Sequence, residues 1–244
     1  MKIRLVCISD THNCQRKPSY AYKHAYLHDL PDGDILVHTG DLTDIGTPQE
    51  ITDFATWIAK QSKYKHRIVI AGNHDIGLAP VGDLNEHKFC NPVKDPKAAS
   101  EAKDVLKQSC TYLENSAIDL YGYKVYGSPY TPEIMGCGWA FNGIRGEHMK
   151  SIWDKIPNDT DVLLTHGPPL GVLDMCRSRE RVGCQDLLRT VVGRVKPRFH
   201  VFGHIHEQHG VVSNGGTTFI NASTCNWDDL NPPVIFDLPV VMED

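Results

Sequence analysis

Short apolar runs recur along the chain with helical spacing between them, the alternation expected of an α/β protein. Residues 3–9 read as a buried strand that stops at the polar turn 10–13. Residues 35–39 and 67–71 read the same way, and 47–62 between them have the spacing of an amphipathic helix. Thr47 as N-cap, Pro48 at the first helical position and Glu50 three residues after Thr47 form a capping-box signature. Residues 97–108 have helical composition. Residues 117–120 and 124–127 flank Tyr121-Gly122-Tyr123 and predict a hairpin, as do 211–212 and 217–221 around Ser213-Asn214-Gly215-Gly216. Helices are expected at 146–155 and 183–195, and strands at 161–165, 198–202 and 234–238. The stretch 76–96, rich in Gly, Pro, Asn and Asp, breaks the pattern and reads as a loop. No repeat, low-complexity run or linker divides the 244 residues, so one α/β domain spanning 1–244 is expected, with helices outside mixed sheets.

Composition narrows the function. Lys+Arg is 25 and Asp+Glu is 30, a net charge of −5, without the basic excess usual in nucleic-acid or anionic-membrane binders. No run approaches the roughly 18 apolar residues of a membrane helix, and the apolar run 5–8 is too short for a signal-peptide core. A cytoplasmic protein is the resulting expectation. The eight cysteines (7, 14, 90, 110, 137, 176, 184 and 225) include no Cys-x-x-Cys pair, so reduced thiols are expected, with Cys7 a small core residue.

The chemistry lies where strands end. Five polar clusters each follow an apolar run: Asp10-Thr11-His12, Gly40-Asp41-Leu42-Thr43-Asp44, Gly72-Asn73-His74-Asp75, His166-Gly167-Pro168-Pro169 and Gly203-His204-Ile205-His206. Ligands of open α/β sheets bind beyond the carboxyl ends of strands, so five such clusters can converge on one spot. Their Asp, Asn and His donors suit Mn²⁺, Fe or Zn²⁺. Asp10 and His12, like His204 and His206, lie two apart and can face one ion, and the two oxygens of Asp41 can bridge two. Taken singly, each cluster reads as well as a surface turn or a packed histidine; the ordered set of five does not.

The ordered set D-x-H, G-D-x-x-D, G-N-H-[DE], H, G-H-x-H resembles the calcineurin-like metallophosphoesterase superfamily, from Asp10 to His206. Leu164-Thr165-His166-Gly167-Pro168-Pro169, Arg181-Val182-Gly183-Cys184, Ile220-Asn221-Ala222-Ser223 and Asn231-Pro232-Pro233 are similar to its small metallophosphoesterase-domain-containing, brain-type subfamily. The resemblance implies a four-layer α/β/β/α sandwich of two mixed β-sheets flanked by helices. It implies two metal ions, manganese favoured over Fe or Zn. Asp10, His12, Asp41 and His206 would hold one, and Asp41, Asn73, His166 and His204 the other, with Asn73 also near the substrate. It implies His74 as the general acid opposite a water activated on the ions, and Asp44 as the residue that orients and charges His74. The expected reaction is hydrolysis of a small phosphodiester, with a cyclic nucleotide suggested by the subfamily. Phosphoprotein phosphatases of the superfamily continue G-D-x-x-D with Arg-Gly. Here Asp44 is followed by Ile45-Gly46, which favours the diesterase side and leaves Arg145 as a candidate phosphate contact, against an ordinary solvated arginine.

Three other readings compete: a phosphomonoesterase or a nuclease of the same fold, and a non-catalytic scaffold. The acidic balance weighs against a nuclease, and the retained His74 against a scaffold. Of the other eight histidines, His24 and His28 have helical spacing and read as a solvated face, while His38 and His200 lie in strand runs and read as packed or hydrogen-bonded. Arg177, Arg179 and Arg181 read as a solvated loop or as a rim that attracts an anionic substrate. Trp139, Trp153 and Trp227 read as aromatic core, or as platforms for a nucleobase.

Overall fold

A computed structural model describes residues 2–14, 30–80, 95–133, 138–226 and 229–240. Strands β1 (Lys2–Ile8), β2 (Ile35–Thr39), β3 (His66–Ile70) and β4 (Thr111–Tyr112) run parallel, and β13 (Val234–Pro239) closes the sheet antiparallel to β1. In a second sheet β6 (Tyr123–Ser128), β9 (Val162–Thr165), β10 (Phe199–Phe202) and β12 (Thr218–Asn221) are parallel. Its edges are the antiparallel β5 (Ser116–Leu120) and β11 (Gly210–Ser213). The two hairpins read from the sequence are the β5/β6 and β11/β12 pairs. The accessory pair β7 (Thr131–Pro132) and β8 (Asn142–Gly143) is too short to leave a pattern.

The two-residue period of the strands sorts side chains into layers. From β1, Ile3, Leu5 and Cys7 join Ile35, Val37, Ile68 and Ile70 against Val125, Val162, Leu164, Val201 and Ile220 of the second sheet. Val6, Ile8, Leu36 and Val69 face the other way, onto α1 (Pro48–Ala59) and α2 (Pro96–Ser109). On the far side Tyr126, Leu163, Phe202 and Phe219 pack under α3 (Glu147–Trp153) and α4 (Gln185–Arg189), which continues as a π-helical turn, Thr190–Val195. The result is the four-layer α/β/β/α sandwich. Its central strands are parallel and buried on both faces, which is why they read as continuous apolar runs.

The capping box of α1 forms with both hydrogen bonds in place. Of the stretch 76–96, residues 76–78 form a buried 3₁₀ turn, and 81–94 lie outside the described residues. So do His24, His28, His87, Cys90, Cys137 and Trp227. Among the described residues no helix is long and apolar enough to cross a membrane.

Trp153 is fully buried in the outer core, with its indole N–H donated to Cys184 Sγ at 3.2 Å. Trp153→Ala is expected to cost about 3–5 kcal/mol, and Thr47→Ala at the cap about 1 kcal/mol; urea unfolding of the two variants should separate them in that order.

Candidate metal centre

Both sheets end at one edge, and their turns are laced together there. Past β1, the amides of Asp10, Thr11 and His12 donate to the carbonyls of Gly40 and Asp41 past β2. A bridge between Ser9 and Ser223 joins the ends of β1 and β12 across the two sheets. Such sharp turns require unusual backbone: Asp10, His12, Asp41 and His204 all have positive φ (51°, 40°, 53° and 68°), a conformation that costs a non-glycine residue free energy and concentrates at functional sites. Two glycines leave room for carboxylates. A Cβ on Gly203 would stand 2.1 Å from Asp10 Oδ2, and one on Gly72 2.3 Å from Asp41 Oδ1.

Three donor groups converge: Asp10, His12 and His206; His12, Asp41 and His74; Asp41, His166 and His204. Within each, the potential ligand atoms lie within 4.8 Å of one another. Asp41 belongs to two of the groups. Asn73 joins them through its Oδ1, 3.0 Å from His166 Nε2. All seven residues expected to hold metal are thus within one cluster, with His74 beside them.

The donor set carries its own test of fit. His12 Nε2 and His206 Nε2 face each other at 3.3 Å, and each also faces a carboxylate, Asp41 Oδ2 at 3.7 Å and Asp10 Oδ1 at 3.3 Å respectively. His166 Nδ1 meets the Thr39 carbonyl at 2.9 Å, so its proton belongs on that nitrogen. Its Nε2 then points at two acceptors, Asn73 Oδ1 at 3.0 Å and Asp41 Oδ2 at 3.4 Å. Lone pairs aimed at lone pairs need protons or a cation between them, and oxygen and imidazole donors suit first-row divalent ions. The hydrogen bond to Thr39 is of the kind that orients a histidine ligand.

The electrostatics agree. Asp10 and Asp41 are buried, at 0% and 2% exposed. Burial alone would raise their carboxyls, but the His206 hydrogen bond and charge at Asp10, and the charges of His166 and His74 at Asp41, hold both below the usual range. Burial opposes charge on His166 too, yet Asp41 pushes it up to about 9. The less compensated rings go the other way: burial takes His12 down to about 4 and His204 to about 3.

The neighbours of these ligands were not all legible in the sequence. Asp75 is buried and accepts from the amides of Leu42, Thr43 and Gly72 and from the Thr43 hydroxyl, at 2.7–3.2 Å. It ties the turn after β2 to the turn after β3. Burial and the charge of Asp41 push its carboxyl up to about 7. Its signal was the fourth position of Gly-Asn-His-Asp. Ser223 donates to Asp10 Oδ2 at 2.9 Å, a role that its place after a strand did not specify.

Several expectations change. His74 Nδ1 lies 2.6 Å from the main-chain carbonyl of Asp44. That partner is the backbone, and the Asp44 side chain is exposed, so the contact orients the ring without a carboxylate at the proton. Arg145 is anchored to the fold. Its guanidinium donates to the carbonyls of Gly183 and Val182 at 2.8 and 2.6 Å, because an exposed loop before α3 needs an anchor on the 182–183 segment. Arg181 pairs with the buried Asp174 at 2.9 Å, and Arg177 reaches Glu207, beside His206, at 4.0 Å. His38 and His200 are buried against Thr11 and Thr165 hydroxyls, at 3.0 and 2.8 Å. Trp139 stacks on His74. The Cys14 and Cys225 thiols meet at 3.2 Å on the segments that carry His12 and Ser223.

A calcineurin-like phosphoesterase family model matches residues 3–208, from β1 to the turn after β10. Metallophosphoesterase domain-containing protein 1 of Homo sapiens is 41% identical over 97% of this chain and 71% of its own length. UPF0046 protein T07D4.2 of Caenorhabditis elegans is 40% identical over 98% of this chain and 60% of its own length. A probable rhamnogalacturonate lyase C of Emericella nidulans is 40% identical over 85% of this chain, in a stretch that makes up 17% of that protein. With the strand-end clusters, the four-layer sandwich and a match over most of its length, the chain belongs to the calcineurin-like phosphoesterase family, and so to the metal-dependent hydrolases.

Proposed function

We propose that this chain is a dinuclear metal-dependent phosphodiesterase acting on a small phosphodiester, with a cyclic nucleotide as the first substrate to try. The observation that carries the reading is the sharing of Asp41. Its carboxylate lies between the His12 and His166 rings, 3.7 and 3.4 Å away, so one residue can serve two ions. Asp10, His12 and His206 would complete the first site, and Asn73, His166 and His204 the second. Ions bound there, manganese being favoured, would supply positive charge for the phosphoryl oxygens and acidify a water nucleophile.

The chain's own residues do the rest. The hydrogen bonds that the His204 amide and Ser223 donate to Asp10, and the one that the His74 amide donates to Asp41 at 2.8 Å, fix the carboxylates before any ion arrives. His74 is half-buried, so its ring reaches both the cluster and solvent. With Nδ1 held by the Asp44 carbonyl, a proton on Nε2 is the one free to pass to a departing alkoxide. An alkyl diester needs that proton more than an activated aryl diester does, because its leaving group is the stronger base.

Three outcomes follow. Manganese-loaded protein should hydrolyse bis-p-nitrophenyl phosphate and cyclic nucleotides, with activity lost to chelator. His74→Ala should keep its metal yet lose roughly 10²–10⁴-fold on the poorer leaving group and less on nitrophenol; equal losses on both would remove the acid role. Asp41→Ala should lose both ions after dialysis, measured as metal per chain by mass spectrometry. Two ions retained at unchanged affinity would show that Asp41 does not bridge.

A further inference from the structure

The His74 ring is held on more than one side. Its Nδ1 meets the Asp44 carbonyl at 2.6 Å. The edge contact with His12 has centroids 4.6 Å apart at 82°. The third contact comes from a distant part of the chain: the Trp139 indole stacks on the imidazole with centroids 4.0 Å apart and planes 27° apart. A half-buried histidine held by one hydrogen bond can still swing about its χ2, a soft torsion with broad wells. A flat indole against its face removes that freedom.

The segment carrying Trp139 is tied to the same backbone as His74. The Ala140 amide donates to the Asn73 carbonyl at 3.1 Å, so indole and imidazole share one frame. Phe141, next along, is buried in the core beneath α1, has a φ of 51°, and meets the Tyr130 ring edge-on at 5.7 Å. The Phe141 carbonyl accepts from the Thr131 amide at 3.0 Å, which pins the segment to the β7/β8 pair. A strained, core-anchored loop that ends on a ring stack is built to place that ring.

We propose that Trp139 is a positioning residue for His74, holding the imidazole in the one orientation from which its Nε2 can deliver a proton to the leaving group. The proposal rests on the reading of His74 as the general acid. It also replaces the expectation that Trp139 stacks a nucleobase, because the indole face toward the site is covered by His74.

The test uses the full chain, metal-loaded, on methyl aryl phosphates whose leaving phenols run from p-nitrophenol to phenol. Metal content and thermal unfolding are measured for each variant. Trp139→Ala is expected to lose kcat about tenfold more on phenol than on p-nitrophenol, a fraction of the full general-acid effect, with KM little changed. Trp139→Phe should restore most of it, since a flat ring remains, and Trp139→Ala added to His74→Ala should cost nothing further. Equal losses across the series, additivity with His74→Ala, or a rise in KM confined to nucleotide esters would each overturn the proposal; the last would make Trp139 a base platform. If His74→Ala shows the leaving-group split and Trp139→Ala does not, only the Trp139 proposal falls. If His74→Ala shows no split, the acid reading falls and takes the proposal with it.

Discussion

The structure turns on a carboxylate that has almost no water. Asp41 is 2% exposed and sits among four imidazoles. Burying an ionised carboxylate without partners is prohibitive, so everything near Asp41 must supply positive charge or hydrogen bonds. The His74 amide does so directly, at 2.8 Å. Asp10, fully buried nearby, imposes the same demand and is answered by the His204 amide and the Ser223 hydroxyl. The His206 ring lies against Asp10 and the His166 ring against Asp41, and each carboxylate raises its partner ring's affinity for a proton. A cation can take the place of such a proton, so the chemistry of the cluster suits a metal ion.

That demand explains features of the fold that would otherwise look wasteful. Four of the cluster's residues have left-handed backbone, and two glycines stand where any side chain would strike a carboxylate. The strain is carried by what lies behind it. Two mixed sheets, their central parallel strands buried on both faces, hold the strand ends in register, and Asp75 draws the turns after β2 and β3 together with four hydrogen bonds. The bridge between Ser9 and Ser223 closes the gap between the sheets at the point where Asp10 needs its partners. Packing energy spread over the sandwich thus supports a small set of costly conformations at one edge.

The clustered donors and the strands that bear them were legible because each depends on local sequence. A buried parallel strand must be an apolar run, and a donor at its end must be a polar residue in a turn, so Leu5–Ile8 followed by Asp10-Thr11-His12 shows both. The supporting contacts were not, because they are made between distant segments by groups with no signature. Arg145 looked free to grip phosphate, yet the carbonyls that hold it lie 37 and 38 residues away. Asp44 was credited with its carboxylate, but a backbone carbonyl, which every residue has, makes the contact. Trp139 read as aromatic core or as a platform for a nucleobase; only the tertiary structure says that its stacking neighbour is an imidazole. The β7/β8 pair, two residues per strand, is below the length at which a period can be read.

Burial alone does not separate the histidines of the cluster from the others. His38 and His200 are as buried as any ligand, and burial takes both down to about 3, the same value as His204. What differs is the partner. His38 and His200 each pair one ring nitrogen with a threonine hydroxyl, which can donate or accept and so suits a neutral ring. His166 has its proton on Nδ1, so its Nε2 lone pair faces a carboxylate and an amide oxygen, while His12 and His206 turn their Nε2 atoms toward one another and toward carboxylates. A ring nitrogen whose lone pair faces an acceptor, as Nε2 of His166 does, needs a proton or a metal ion between the two, and that demand arises in the cluster around Asp41.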